Sequence, residues 1–178
     1  MKVLYVTPIL EHPAGGPELR IENSLKALSR LCEIHLVART PKHIAGGEQA
    51  LAFYRKYSTD VRISPSAQGL SRNRYLHAAQ IRYRRAFHPR ADAEYIIRLV
   101  ERSNIRVIWF GYGNISLPLI RDIRQMRPDL KLVCDTDSVW SRFILREMPF
   151  ETNGRRKARL GHAGKKKESE EQELVDIC

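Results

Sequence analysis

Apolar residues along the chain repeat in two rhythms, and the switches between them divide it into elements. "KVLYVT" at residues 2–7 is apolar almost without a break, the pattern of a strand covered on both faces. Ile21, Leu25, Leu28 and Cys32 then recur at helical spacing. Ahead of them, Pro17 suits a first helical turn and Glu18 suits the positive end of the helix dipole. "EIHLVAR" predicts a second strand closed by "TPKH", "AGGEQALAFYRKYS" a loop with a short helix, and "DVRISP" a third strand ended by proline. Residues 68–87 predict a helix broken at "HPR", and "ADAEYIIRLVERSN" another with Ile96, Leu99 and Val100 on one side. "IRVIWFGYGN" is a strand that stops at glycines. A helix with Leu119, Ile123 and Met126 on its apolar side follows, then the turn "RPD" and the strand "LKLVCDTDS". "SVWSRFILRE" predicts a helix stopped by "MPF", and the remainder a long polar helix leading into the first residues of a further element.

Strands alternating with helices, and apolar on both faces, predict an α/β fold: a Rossmann-like doubly wound parallel sheet forming one domain over residues 1–178. Ligands of such sheets sit beyond the carboxyl ends of the strands. Three polar or glycine-rich stretches fall there: "EHPAGGPE" after the first strand, "GYGN" after the fourth and "DTDS" after the fifth. Far apart in sequence, they are expected to converge in space.

Composition narrows the classes. No apolar run is long enough to span a bilayer, and "MKVLYVT" lacks the pattern of a secretory leader, so a cytoplasmic protein is expected. Cys32, Cys134 and Cys178 are odd in number and widely spaced, which fits neither a disulfide framework nor a zinc site; Cys32 and Cys134 read as buried thiols. The formal net charge of +11 is concentrated in residues 71–90 and in residues 154–167, and the second cluster contains no acid. Such a balance points to a polyanionic partner, or to solvated helix faces.

Each candidate has a chemical and a plainer reading. Gly15 and Gly16 precede a helix N-terminus, where free N–H groups and the dipole attract an anion, or they merely make the turn. "AGGPEL" is neither the dinucleotide fingerprint G-x-G-x-x-G nor a P-loop. Arg20 lies one turn on and reaches a phosphate or carboxylate, or stays solvated; His12 is a proton carrier or an ordinary loop histidine. Asp135 and Asp137 hydrogen-bond sugar hydroxyls, one of them acts as a base, or Asp137 or Ser138 caps the next helix. Gly111, Tyr112 and Gly113 bring backbone and an aromatic ring to a ligand, or form a glycine turn.

The stretch "MKVLYVTPILEHPAGGPELRIENSLKALSRLCEIHLV", with "LVCDTDSVWSRFILRE" and the tail "EEQELVDIC", resembles the amino-terminal domain of bacterial group 1 glycosyltransferases, family 4 enzymes of the GT-B fold. The resemblance implies transfer of a sugar from a nucleoside diphosphate sugar to an acceptor, with retention at the anomeric carbon. It also implies a carboxy-terminal donor-binding domain that this chain does not contain, so the isolated domain is expected to be inactive. Gly15 and Gly16 would meet the donor diphosphate. Residues His12, Arg20, Gly111, Tyr112 and Asp135 would line the acceptor side, and Asp137 is placed as the catalytic residue, although the histidine that many members carry near "DTD" is absent. No cofactor and no metal is implied, and no nucleic acid. Lipid-linked and polysaccharide acceptors of the cell envelope both lie within the family's range. Arg82, Arg84 and Arg85, in the 71–90 cluster with Tyr75, Tyr83 and Phe87 interleaved, would contact the anionic inner face of the plasma membrane as in peripheral members. Half of a sugar-nucleotide epimerase and a basic nucleic-acid-binding module are the alternatives, the latter without a zinc, helix-turn-helix or RNA-recognition signature.

Overall fold

The computed structural model describes residues 1–8, 12, 15–39, 47–71, 73–136 and 138–178; the side chains of Pro17, Glu18, Gly47, Arg74 and Arg85 lie outside the description. Strand β1 (Lys2–Thr7) is buried from its second residue onward, as a central strand must be. Helix α1 (Pro17–Leu28) starts with proline in its first turn, and β2 (Glu33–Ala38) follows. Helix α2 (Gly47–Arg55), β3 (Asp60–Ile63), α3 (Arg74–Phe87) and α4 (Ala91–Ser103) come next. The chain continues through β4 (Val107–Gly111), a 3-10 turn at Gly113–Ile115, α5 (Leu117–Met126) and β5 (Lys131–Asp135). It closes with α6 (Trp140–Glu147), a second 3-10 turn at Met148–Phe150, and the long α7 (Gly154–Ile177).

All strand pairs are parallel, in the order β3-β2-β1-β4-β5. The fold is therefore the α/β, Rossmann-like doubly wound sheet that the pattern predicts. Alternate side chains of each strand feed two cores. On one face Tyr5, Leu36 and Ala38 pack against Ile21 and Leu25 of α1 and Tyr54 of α2. On the other, Leu4, Val6 and Phe110 pack against α4, α5 and Leu174 near the end of α7. The order reverses direction between β1 and β4, whose following loops part there and leave a crevice at the carboxyl edge.

Several expectations are corrected. The third helix begins at Arg74 rather than residue 68, because the Asn73 side chain accepts from the amides of Tyr75 and Leu76 and sets the start. Ser138 does not cap α6: its N-cap is Val139, with no side-chain cap. Met126, at the last turn of α5, is 37% exposed rather than in the core, and Cys32 and Cys134 are only half-buried.

Candidate functional site

The crevice brings together residues from the ends of three strands and from α1. Asp135 closes β5 with its side chain only 9% exposed. A carboxylate so placed needs partners, and α1 supplies them. Arg20 donates from Nε to Oδ1 at 2.9 Å and stands 2.6 Å away through Nη2, while Ser24 donates to Oδ2 at 3.1 Å. Arg20 and Ser24 are four residues apart and so share a helix face. The sequence reading took Arg20 and Asp135 separately; the structure makes them one pair, and the guanidinium stays half exposed at the crevice.

Beneath this pair lies Tyr5 of β1, fully buried. Burial first, and the Asp135 carboxylate second, push its phenol well above the ordinary value of 10.0. Tyr5 and Ser24 were missed by sequence reasoning. The signals available were a phenol in an otherwise aliphatic strand and the four-residue spacing of Ser24 from Arg20. Gly111, at the end of β4, admits the Tyr5 ring: a Cβ there would stand 2.5 Å from Cζ and 2.6 Å from Cε1. Gly113 is crowded in the same way, by Cys134 Sγ and by Phe110 Cβ at 3.2 Å. Between them Tyr112 adopts left-handed backbone, φ 61°. Asn114 follows, 3% exposed, and neither atom of its amide has a hydrogen-bond partner.

The glycine pair divides. Gly16 is the N-cap of α1 at φ 56°, ψ −130°, a conformation that L side chains rarely adopt, so the turn itself demands glycine. Gly15 lacks a positive φ and nothing lies within 4 Å of where its Cβ would be. The fold does not require glycine there, and the space beside its backbone is open at the start of α1. Among the described residues no side chain caps α1, and the free N–H groups of a first helical turn attract an anion.

His12 lies elsewhere. Its Nδ1 is 2.7 Å from Oε1 of the buried Glu22, and its ring stacks on Phe53 at 3.8 Å. It is a fixed partner of α1 and α2. Asp137 lies outside the described residues. Among the described residues no cluster of His, Cys, Asp and Glu could hold a metal ion.

The basic helix α3 is built inside out. His77, Gln80, Ile81 and Arg84 form its half-buried side, whereas Tyr75, Leu76, Tyr83 and Phe87 are 58–72% exposed. Arg84 is turned inward, donating from Nη1 to the carbonyls of Pro65 at 2.8 Å and Ser66 at 2.9 Å. Arg82 is exposed, and the Arg85 side chain lies outside the description. No acid occurs anywhere in residues 61–91. No helix among the described residues is long and apolar enough to cross a membrane.

The chain matches no known family model, and no curated protein matches it significantly.

Proposed function

We propose that this chain is the acceptor-side domain of a retaining glycosyltransferase, acting with a donor-binding domain across the crevice at the carboxyl edge of its sheet. The observation that carries the reading is the open backbone at Gly15, where a helix start with no side-chain cap among the described residues lies beside the Arg20–Asp135 pair. Oxygens of a nucleoside diphosphate, which gains charge as the sugar leaves, suit the first; sugar hydroxyls suit the second. On this reading Gly15 and Gly16 meet the diphosphate, and Arg20, Asp135, Gly111 and Tyr112 face the acceptor, while His12 stays with Glu22 and Phe53.

The outward apolar side of α3 and its lack of acids support peripheral attachment to an anionic membrane through Tyr75, Tyr83, Phe87 and Arg82. Arg84 serves this only indirectly, by holding the helix to the loop at residues 65–66.

The test is transfer of labelled hexose from UDP-, GDP- and ADP-sugars by the protein expressed from its uninterrupted reading frame, with the product anomer read by NMR. Retention, with at least a tenfold lower kcat in Gly15→Val, is expected. Absence of transfer from every donor, or inversion, would overturn the assignment.

A further inference from the structure

Helix α7 is much longer than the domain needs. It runs in the same direction as α5: Glu173 pairs with Arg121, and Arg124 donates to the Ile177 carbonyl at 3.0 Å and 2.6 Å. Because α5 starts at the carboxyl edge of the sheet, residues 154–167 of α7 project past that edge, by about 20 Å at 1.5 Å per residue. Helix α6 packs antiparallel on this projection. Ser141 donates its amide to Glu171 at 3.1 Å, a Cβ at Gly164 would stand 2.6 Å from Leu145 Cγ, and Glu151 meets Arg156 at 2.9 Å near the tip. The result is a tight helical arm standing over the edge that bears the crevice.

The arm carries a groove of about 410 Å³ lined by Ser138, Val139, Arg142, Phe143 and Arg146, directly after the "DTDS" strand end. Arg142 and Arg146 lie four residues apart on one helix face, an arrangement that is repulsive for like charges. Neither has a carboxylate partner among the described residues; Arg146 instead stacks its guanidinium on the Phe143 ring at 4.4 Å. The first turn of α6 contains no acid to answer its dipole. Three sources of positive potential therefore face a groove whose other described walls are Ser138, Val139 and Phe143, the last two apolar. Elsewhere in the arm Arg156 is answered by Glu151 and Lys167 by Glu170 at 2.8 Å, while Arg155, Lys157, Arg159, Lys165 and Lys166 on α7 have no carboxylate partner among the described residues; what sets Arg142 and Arg146 apart is that both line the groove.

We propose that this groove is a binding site for a phosphate or diphosphate ester, the two guanidiniums clasping the phosphoryl oxygens and Val139 and Phe143 covering the esterified group. The site is separate from the Gly15 backbone and does not rest on the glycosyl-transfer reading.

The experiment is calorimetric titration of this chain with inorganic pyrophosphate, with UDP and with geranyl pyrophosphate, repeated on R142A/R146A and on K165A/K166A. The second variant removes the same charge from the exposed face of α7. At least one probe is expected to bind, at least tenfold more weakly to R142A/R146A and within about threefold of wild type to K165A/K166A. Equal binding of all three assigns the site to the phosphate alone; preference for UDP or for geranyl pyrophosphate assigns the esterified group. If no probe binds wild type at millimolar concentration, or if the two variants lose binding equally, the site is overturned. Far-UV circular dichroism of both variants confirms that the exposed arginines are not needed for folding.

Discussion

Gly111 was read from the sequence as a residue near a ligand, but the structure gives it a heavier duty inside the protein. Gly111→Ala would place a methyl carbon 2.5 Å from Cζ and 2.6 Å from Cε1 of Tyr5, with the hydroxyl oxygen nearer still. Tyr5 cannot swing aside: it is fully buried, on a strand paired on both sides. Overpacking a filled core costs about 1–3 kcal/mol, and the rigidity of both partners puts this case at the upper end, about 3 kcal/mol. For a chain of this size each kcal/mol lowers Tm by roughly 2–4 °C, so a fall of about 6–12 °C is expected. Urea denaturation followed by circular dichroism and by tryptophan fluorescence, with Trp109 in the same strand, measures the loss. Tyr5→Leu removes all three clashing atoms; in that background Gly111→Ala should cost under about 0.5 kcal/mol, since the methyl enters space the ring vacated. A loss below about 1 kcal/mol in the wild type, or an equal loss in both backgrounds, would refute the steric account. If it holds, lost activity in a Gly111 variant is no sign of a ligand contact.

Gly15→Ala should leave stability within about 0.5 kcal/mol of wild type, whereas Gly16→Ala, forced to a positive φ, should lose about 1 kcal/mol or more in the same urea assay. Arg20→Ala leaves the Asp135 carboxylate nearly buried with only Ser24 as partner and should cost about 2–3 kcal/mol, part of which R20A/D135N recovers in a double-mutant cycle. Tyr5 keeps its proton in the folded state well above its ordinary 10.0, while the unfolded chain releases it near that value. The unfolded state then binds fewer protons, so the stability held below pH 10 falls as pH rises above it; urea midpoints measured from pH 8 to 11 should decline less steeply in Tyr5→Phe.

How much of this was legible in the sequence depended on the range of the interaction. Most strands could be read because they are largely apolar on both faces, β3 because it alternates and ends at a proline, and their parallel arrangement because helices of sufficient length lie between them. Element starts were harder. Asn73 sets the beginning of α3 by a contact two and three residues away, and the expectation ran past that cap even though Gly69, at φ 61°, lies in the stretch it included. For the crevice, topology predicted that the ends of β1, β4 and β5 would meet, but not which atoms would touch. The Arg20–Asp135 pair joins residues separated by 115 positions, and no local rhythm encodes such a contact. The glycines show why a motif could not decide between turn and binding loop. Gly16 and Gly111 are fixed by backbone angle and by a neighbouring ring, both internal needs of the fold. Of the glycines at the crevice Gly15 meets no such need, and a glycine that the fold does not require, beside a helix start with no side-chain cap among the described residues, leaves room for an anion to approach the backbone. The arm makes the same point for charge. Residues 154–167 read as one basic block, but only the packed hairpin shows which of its cations meet a carboxylate, Arg156 and Lys167, and which pair, Arg142 and Arg146, lines a groove with no carboxylate partner among the described residues. Charge counted along a chain measures a field; where the fold gathers two unpaired guanidiniums along one groove, that field gains a place that binding can test.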